Sequence, residues 1–313
     1  MPAAESANGR RQHSESFVRC VTECPSILTD IYVVLSAAKD LLVTGYTTLS
    51  ALRIVPTSIE RMVLVWTLAW CAVAVPVARA GAQSDEIQVY TGELAAPREM
   101  SLTLHVNYTP QGRKMADFVG GVVPQGSVNG ALEWAYGVSE SFETGVYLPV
   151  YTRTRDGTFK VDGVKARALF AVPHAETRRF FYGVNFEMSY NATHWNPSRY
   201  GAEIRPIVGA RAGKWDVIAN PILDTSFDGF GALVFAPSFR VANNVTPTWA
   251  LAIEQYSDFG PVRRLESRGQ QQQNVFAVTD FSRKAFSVEL GVGYGFTDVS
   301  DRVILKTILA RSF

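Results

Sequence analysis

Beyond residue 71 this chain has no cysteine; Cys20, Cys24 and Cys71 are its only three. Disulfides and thiol chemistry are therefore excluded from the rest of its length. Cys20 and Cys24 have no second ligand pair beside them, so a zinc site is not built there. Net charge is missing as well. Residues 83–313 carry equal numbers of basic and acidic side chains. That balance gives no electrostatic reason to bind nucleic acid or an acidic partner. Finally, no apolar run after residue 82 is long enough for a membrane-spanning helix, which needs about 20 residues.

One apolar run does stand out. Val63–Val75 is broken only by Thr67, comes after Arg53 and Arg61, and leads into Pro76-Val77-Ala78-Arg79-Ala80-Gly81-Ala82. It is too short to cross a core of about 30 Å. Charge, a short apolar stretch and a small-x-small site predict a cleaved signal peptide over 62–82, cut after Ala80 or Ala82. Cys71 is preceded by bulky Trp70 inside the apolar run, which argues against lipidation there. Met62 then serves as a start. Residues 1–61 are expected to be an upstream extension from a misplaced start site, or else an extended leader. Export predicts a cell-envelope location.

From about Ser101 onward the dominant signal is alternation. In Ser101–Tyr108, residues Leu102, Leu104, Val106 and Tyr108 share one face; Thr103, His105 and Asn107 share the other. Period 2 means a strand with one apolar and one polar face. The pattern returns around Val128–Val138, Phe142–Val150, Lys165–Val172 and Phe180–Tyr190. It returns again near 200–211, 215–224, 231–242, 247–256, 273–281, 285–296 and 302–313. This predicts an all-β, antiparallel transmembrane barrel of twelve strands over 101–313, preceded by a periplasmic segment, 83–100. In such a barrel the apolar face meets lipid and the polar face lines the lumen. The connectors alternate between long and short. Stretches such as 109–127 and 257–272 face turns such as 139–141 and 282–284, as external loops face periplasmic turns. An exported barrel of this kind belongs in the outer membrane of a Gram-negative cell.

Two features depart from the regular pattern. Pro206, Pro221 and Pro237 fall mid-strand, where proline removes a ladder hydrogen bond. Counting antiparallel register places all three at similar height on adjacent strands. They form separate bulges or, together, a weak seam through which an apolar solute leaves sideways. The last strand also carries Arg311 on its outward side, near the interface, and ends on Phe313.

The polar face is charged. Its acids are Glu133, Glu143, Glu187, Glu203, Asp216, Asp224, Glu254, Asp280 and Glu289; its bases are Lys165, Arg167, Arg205, Arg211, Arg240 and Lys306. Glu187 is expected to reach Lys165 or Arg167 on one side and Arg205 on the other, and Asp216 to sit between Arg211 and Arg240. Mixed signs fit a structural polar plug or a selectivity constriction. Enzyme chemistry finds little support. His105, His174 and His194 lie in no catalytic motif, although Ser198 is near His194. Asp224-Thr225-Ser226-Phe227-Asp228-Gly229 opens like a calcium loop, but its spacing is wrong and the distal Glu is missing. No metal and no cofactor is expected.

Asp85–Phe313 resembles a family of proteobacterial outer-membrane barrels grouped with the phenol-degradation barrels of a MetA pathway. The likeness rests on Leu102–Arg113, Glu133–Pro149, Arg179–Tyr190, Asn220–Gly231 and Ser287–Gly295. It implies passive movement of small apolar or aromatic compounds, with no catalytic residues to carry over. It also implies insertion by the general barrel machinery, which reads a terminal aromatic such as Phe313. A surface or structural barrel without conduction, and a membrane-embedded lipid hydrolase, are the other classes considered.

Overall fold

The computed structural model describes residues 85–227, 229, 233–284 and 286–313. The expected extension, signal peptide and cleavage sites lie outside the described residues. The strands are β1 Met100–Gln111, β2 Val128–Ser139, β3 Phe142–Arg153, β4 Phe159–Ala171, β5 Phe180–Asn191, β6 Tyr200–Ala212, β7 Trp215–Asn220, β8 Leu223–Thr225, β9 Val234–Phe235, β10 Ser238–Thr246, β11 Trp249–Asp258, β12 Gln272–Arg283, β13 Phe286–Gly295 and β14 Val303–Ser312. β7 and β8 are two halves of one crossing, parted at Pro221. β9 and β10 are likewise one crossing, parted at Pro237. Twelve crossings result. Among the described residues, no helix is long and apolar enough to cross a membrane.

Every pairing among these strands is antiparallel and the sheet closes. β1 pairs with β14 from Ser101–Ser312 to Gln111–Val303, and β5 pairs with β6 from Phe180–Ala210 to Tyr190–Tyr200. Closure leaves no free edge. The last residue contributes to the β1–β14 seam, because the Phe313 N–H donates to the Met100 carbonyl (2.8 Å).

Burial follows the predicted period. On β5, Phe180, Tyr182, Phe186 and Met188 are exposed while Phe181, Asn185 and Glu187 are buried. Large apolar side chains pointing out of every crossing make an outer surface that water would disfavour and lipid would not. Several boundaries differ from expectation: β1 runs on to Gln111 and β3 to Arg153. The eighth crossing does not stop at Ala242 but runs through Asn243 and Asn244 to Thr246. There the Asn244 N–H donates to the Lys214 carbonyl (2.7 Å), and its side chain donates to Asp216 (3.1 Å).

The interior is less polar than the alternation implied. Phe181 and Phe276 turn inward and are fully buried. Each faces a glycine directly across the ladder, Gly209 and Gly293. A Cβ at either glycine would collide with the facing ring. The missing side chain therefore lets each ring lie flat against the wall.

If the outer face meets lipid, Leu290→Arg should lower stability in bilayers by about 2–4 kcal/mol. Equilibrium unfolding from lipid vesicles reads this directly. An unchanged midpoint would show that this face is not in hydrocarbon.

Candidate functional site

The segment ahead of β1 does not stay outside the barrel. Asp85–Tyr90 runs inside it without joining the ladder. The sequence placed 83–100 before the barrel, but Asp85–Tyr90 is packed within the lumen. We call it the strap. Its apolar side chains pack against two apolar walls. Ile87 packs with Ala242, Ala252, Phe276, Val278 and Ile304. Val89 and Tyr90 pack with Leu169, Ala175, Phe181, Ile207 and Ile218. Inward Phe276 and Phe181 thus pack with strap residues as well as with wall residues.

An unpaired backbone inside a barrel must still satisfy its polar groups. Lumen side chains do this at Asp85, Ile87, Gln88 and Tyr90. Asn107 donates to the Asp85 carbonyl (3.1 Å), Lys306 to the Ile87 carbonyl (3.2 Å) and Arg205 to the Gln88 carbonyl (3.2 Å). Asn220 binds both backbone groups of Tyr90: its Oδ1 accepts the N–H at 2.7 Å and its Nδ2 donates to the carbonyl at 3.1 Å. The Tyr90 and Tyr147 hydroxyls are 2.6 Å apart, and the Arg205 guanidinium lies 4.4 Å above the Tyr90 ring.

The predicted lumen charges gather into four groups. Lys165 contacts Asp85 of the strap (2.6 Å) and Glu187 (3.2 Å), while Arg205 holds Glu203 (2.6 Å) and lies 3.7 Å from Glu86 of the strap. Arg167 sits between Glu133 and Glu143, at 2.5 Å from each, and His105 Nε2 is 3.1 Å from Glu133. Lys306 contacts Glu254 and Glu289, and Arg240 contacts Glu254, Asp280 and Glu289. Arg211 is 3.4 Å from Asp216. Of the two alternatives for Glu187 the structure takes Lys165, and two expected partners are corrected. Arg167 reaches across β3 to β2 rather than sideways to Glu187. Arg205 turns to Glu203 on its own strand and to Glu86 of the strap, leaving Glu187 to Lys165. Arg240 joins the Glu254 group, and Asn244 takes its expected place beside Asp216. Cutting one partner from a buried pair costs far more than the pair contributes, about 3–5 kcal/mol.

The three prolines mark a real irregularity. β6 pairs with β8 over Ala202–Ile204 and with β7 over Val208–Ala212. The ladder skips Arg205–Ile207 opposite Asn220–Ile222, where Pro206 and Pro221 lie. Pro237 ends the next break, between Phe235 and Ser238, bridged by the Ala236 N–H to the Ile222 carbonyl (3.0 Å). Buried Ile207 and Ile222 back the skipped stretch, and Asn220 ties it to Tyr90. The breaks are neighbours, and the strap lies directly behind them.

Open space lies toward the long loops. A cavity of about 150 Å³ is bounded by Asp85, Ile87, Phe118, Trp195 and Tyr256. A larger one of about 760 Å³ lies among Met115, Val234, Pro261 and Glu266. The remaining histidines sit at the two ends. His174 is in the turn after β4, and His194 Nε2 is 2.9 Å from Asp162, which accepts the Thr152 hydroxyl at 2.5 Å. Among the described residues, no group of three His, Cys, Asp or Glu side chains could hold a metal ion. Asp224, half-buried, faces the lumen beside Glu203. Phe313 is exposed, with the Arg311 guanidinium 5.2 Å from its ring.

Comparison with known proteins identifies the fold. No protein-family model matches the chain, and no curated protein matches it. Among solved structures, an outer membrane channel from Pseudomonas putida F1 is similar at 11% identity and a TM-score of 0.50, covering 73% of this chain and 100% of its own. The KdgM porin (8% identity, TM-score 0.46, 68% of this chain and 99% of its own) and the NanC porin (8%, 0.43, 68% and 98%) are also similar. The first of these shares the barrel fold.

Asn220→Ala should free both backbone groups of Tyr90 and cost about 1–3 kcal/mol. The Tyr90 amide should then exchange with solvent much faster than in the parent protein. Unchanged exchange at that amide would mean the strap is held without Asn220.

Proposed function

We propose that this chain is a channel of the Gram-negative outer membrane that passes small solutes, with apolar and aromatic compounds as its cargo. The observation that carries this reading is the strap. It occupies the lumen of a closed barrel but is not part of the wall. Its departure would break no ladder hydrogen bond of the wall. The outward apolar face, the long loops at one end and the fold shared with an outer membrane channel support the location. The resemblance to phenol-degradation barrels supports the cargo. The outer cavities would collect solute, and the skipped ladder beside Pro206, Pro221 and Pro237 offers a sideways exit once the strap moves. In this reading Phe313 is the aromatic that the insertion machinery reads.

A filled lumen also favours a second reading, a structural or surface barrel that does not conduct. The two separate in planar bilayers. A channel should give discrete openings that small phenols partly block, and the Asn220→Ala variant should open severalfold more often. A folded barrel that stays silent in both forms would establish the second reading. Valine at all three proline positions should change phenol passage while the barrel stays folded. Unchanged passage would remove the sideways exit.

A further inference from the structure

On the outer surface, at the end of the barrel that carries the long loops, Tyr108, Val128, Arg153 and Phe159 stand in one row across β1 to β4. Three of the four suit lipid; Arg153 does not. The next outward residues toward the middle of the wall are apolar or small again: Val106, Gly130, Tyr151 and Val161. The Tyr151 ring stacks on Phe159 at 5.6 Å. Arg155 follows in the β3–β4 turn. Its stem lies across Gly126, where a Cβ would stand 2.9 Å from the Arg155 Cγ. Gly126 has a φ of +76°, a conformation that disfavours any side chain. The glycine thus lets Arg155 lie close against the neighbouring loop. Both arginines line one groove of about 480 Å³, together with Tyr108, Pro110 and Val128.

The two guanidinium groups lack partners. Among the described residues, neither makes a hydrogen bond or an ion pair, and both side chains are exposed. Asp156, the nearest acid in sequence, is taken up inside its own turn. It accepts from the Thr154 hydroxyl, the Thr158 hydroxyl (3.2 Å) and the Thr158 N–H (3.3 Å). Gln125 is occupied too, accepting the Gly112 N–H (3.0 Å) and donating to the Pro110 carbonyl (2.9 Å). Elsewhere near the same rim, arginines are held: Arg199 donates to the Tyr190 hydroxyl (2.8 Å) and Arg302 to the Gly295 carbonyl (3.0 Å). Two like charges facing one groove repel each other. An anion between them turns that repulsion into attraction. Guanidinium groups match phosphate in particular, through parallel N–H donors.

We propose that this groove seats a phosphorylated glycolipid of the outer leaflet, the lipid A anchor of lipopolysaccharide. Arg153 and Arg155 hold one of its phosphates, and the acyl chains lie against Tyr151, Phe159 and Val161. The occupant is a lipid rather than free phosphate because the apolar row continues directly beneath the two charges. The seat rests on the outer-membrane location in the reading above, not on conduction.

Native mass spectrometry of the folded full chain in detergent tests this. A single lipid A should be retained in preference to lipid A stripped of its phosphates. Arg153→Gln combined with Arg155→Gln should weaken lipid A binding roughly tenfold and leave binding of the stripped lipid unchanged. Both side chains are exposed, so the double variant should keep the parent Tm in lipid-free detergent. Inorganic phosphate should not displace the bound lipid A. Equal retention of the two lipids, equal binding by parent and variant, or displacement by inorganic phosphate would overturn the proposal. A barrel that gives phenol-blocked openings yet does not distinguish the two lipids would lose the seat and keep the channel. A silent barrel that does distinguish them would keep the seat and lose the channel.

Discussion

The architecture depends on how a length of backbone can lie inside a barrel without belonging to it. In the wall, peptide groups are paired by the neighbouring strands. The strap has no ladder, so its donors and acceptors must be met by side chains projecting from strands distant in sequence. Asn107, Arg205, Asn220 and Lys306 do this from four different strands. Their charges and amides are tolerated in the interior because the strap is there, and the strap stays because they are. The apolar contacts of Ile87, Val89 and Tyr90 add to this mutual dependence without directing it.

Much of the fold was legible in the sequence because a lipid-facing barrel obeys a simple rule. Leu102, Leu104 and Val106 alternate with Thr103, His105 and Asn107, and the structure keeps each set on its own face. The twelve crossings and the sorting of long and short connectors obey the same rule. The mid-strand prolines were also readable, since a missing N–H must appear as a missing rung somewhere. Which rungs are lost depended on the neighbouring strands' register, and that was not written locally.

The site was less legible. The wall charges stand out in the alternation, but several of their partners do not, because Arg167 and Arg240 reach past the nearest strand. The strap is hidden because a stretch such as Asp85-Glu86-Ile87-Gln88-Val89-Tyr90 looks like an ordinary leader into a first strand. A signal was present elsewhere. Phe180-Phe181-Tyr182 breaks the alternation, and Phe276 and Ile207 put apolar groups on faces that should be polar. Inward apolar residues in a barrel of this size imply something apolar to pack against, and Ile87, Val89 and Tyr90 of the strap supply part of it.

The skipped rungs between β6 and the β7–β8 crossing have a mechanical meaning. A barrel resists flattening because each strand is tied to two neighbours by an unbroken series of bonds. Where three consecutive positions are untied, bending stiffness around the circumference falls. A squeeze from surrounding lipid would then be taken up mainly along that line. The cross-section of this barrel is therefore not uniformly rigid: it has a built-in crease, and the strap lies along its inner side.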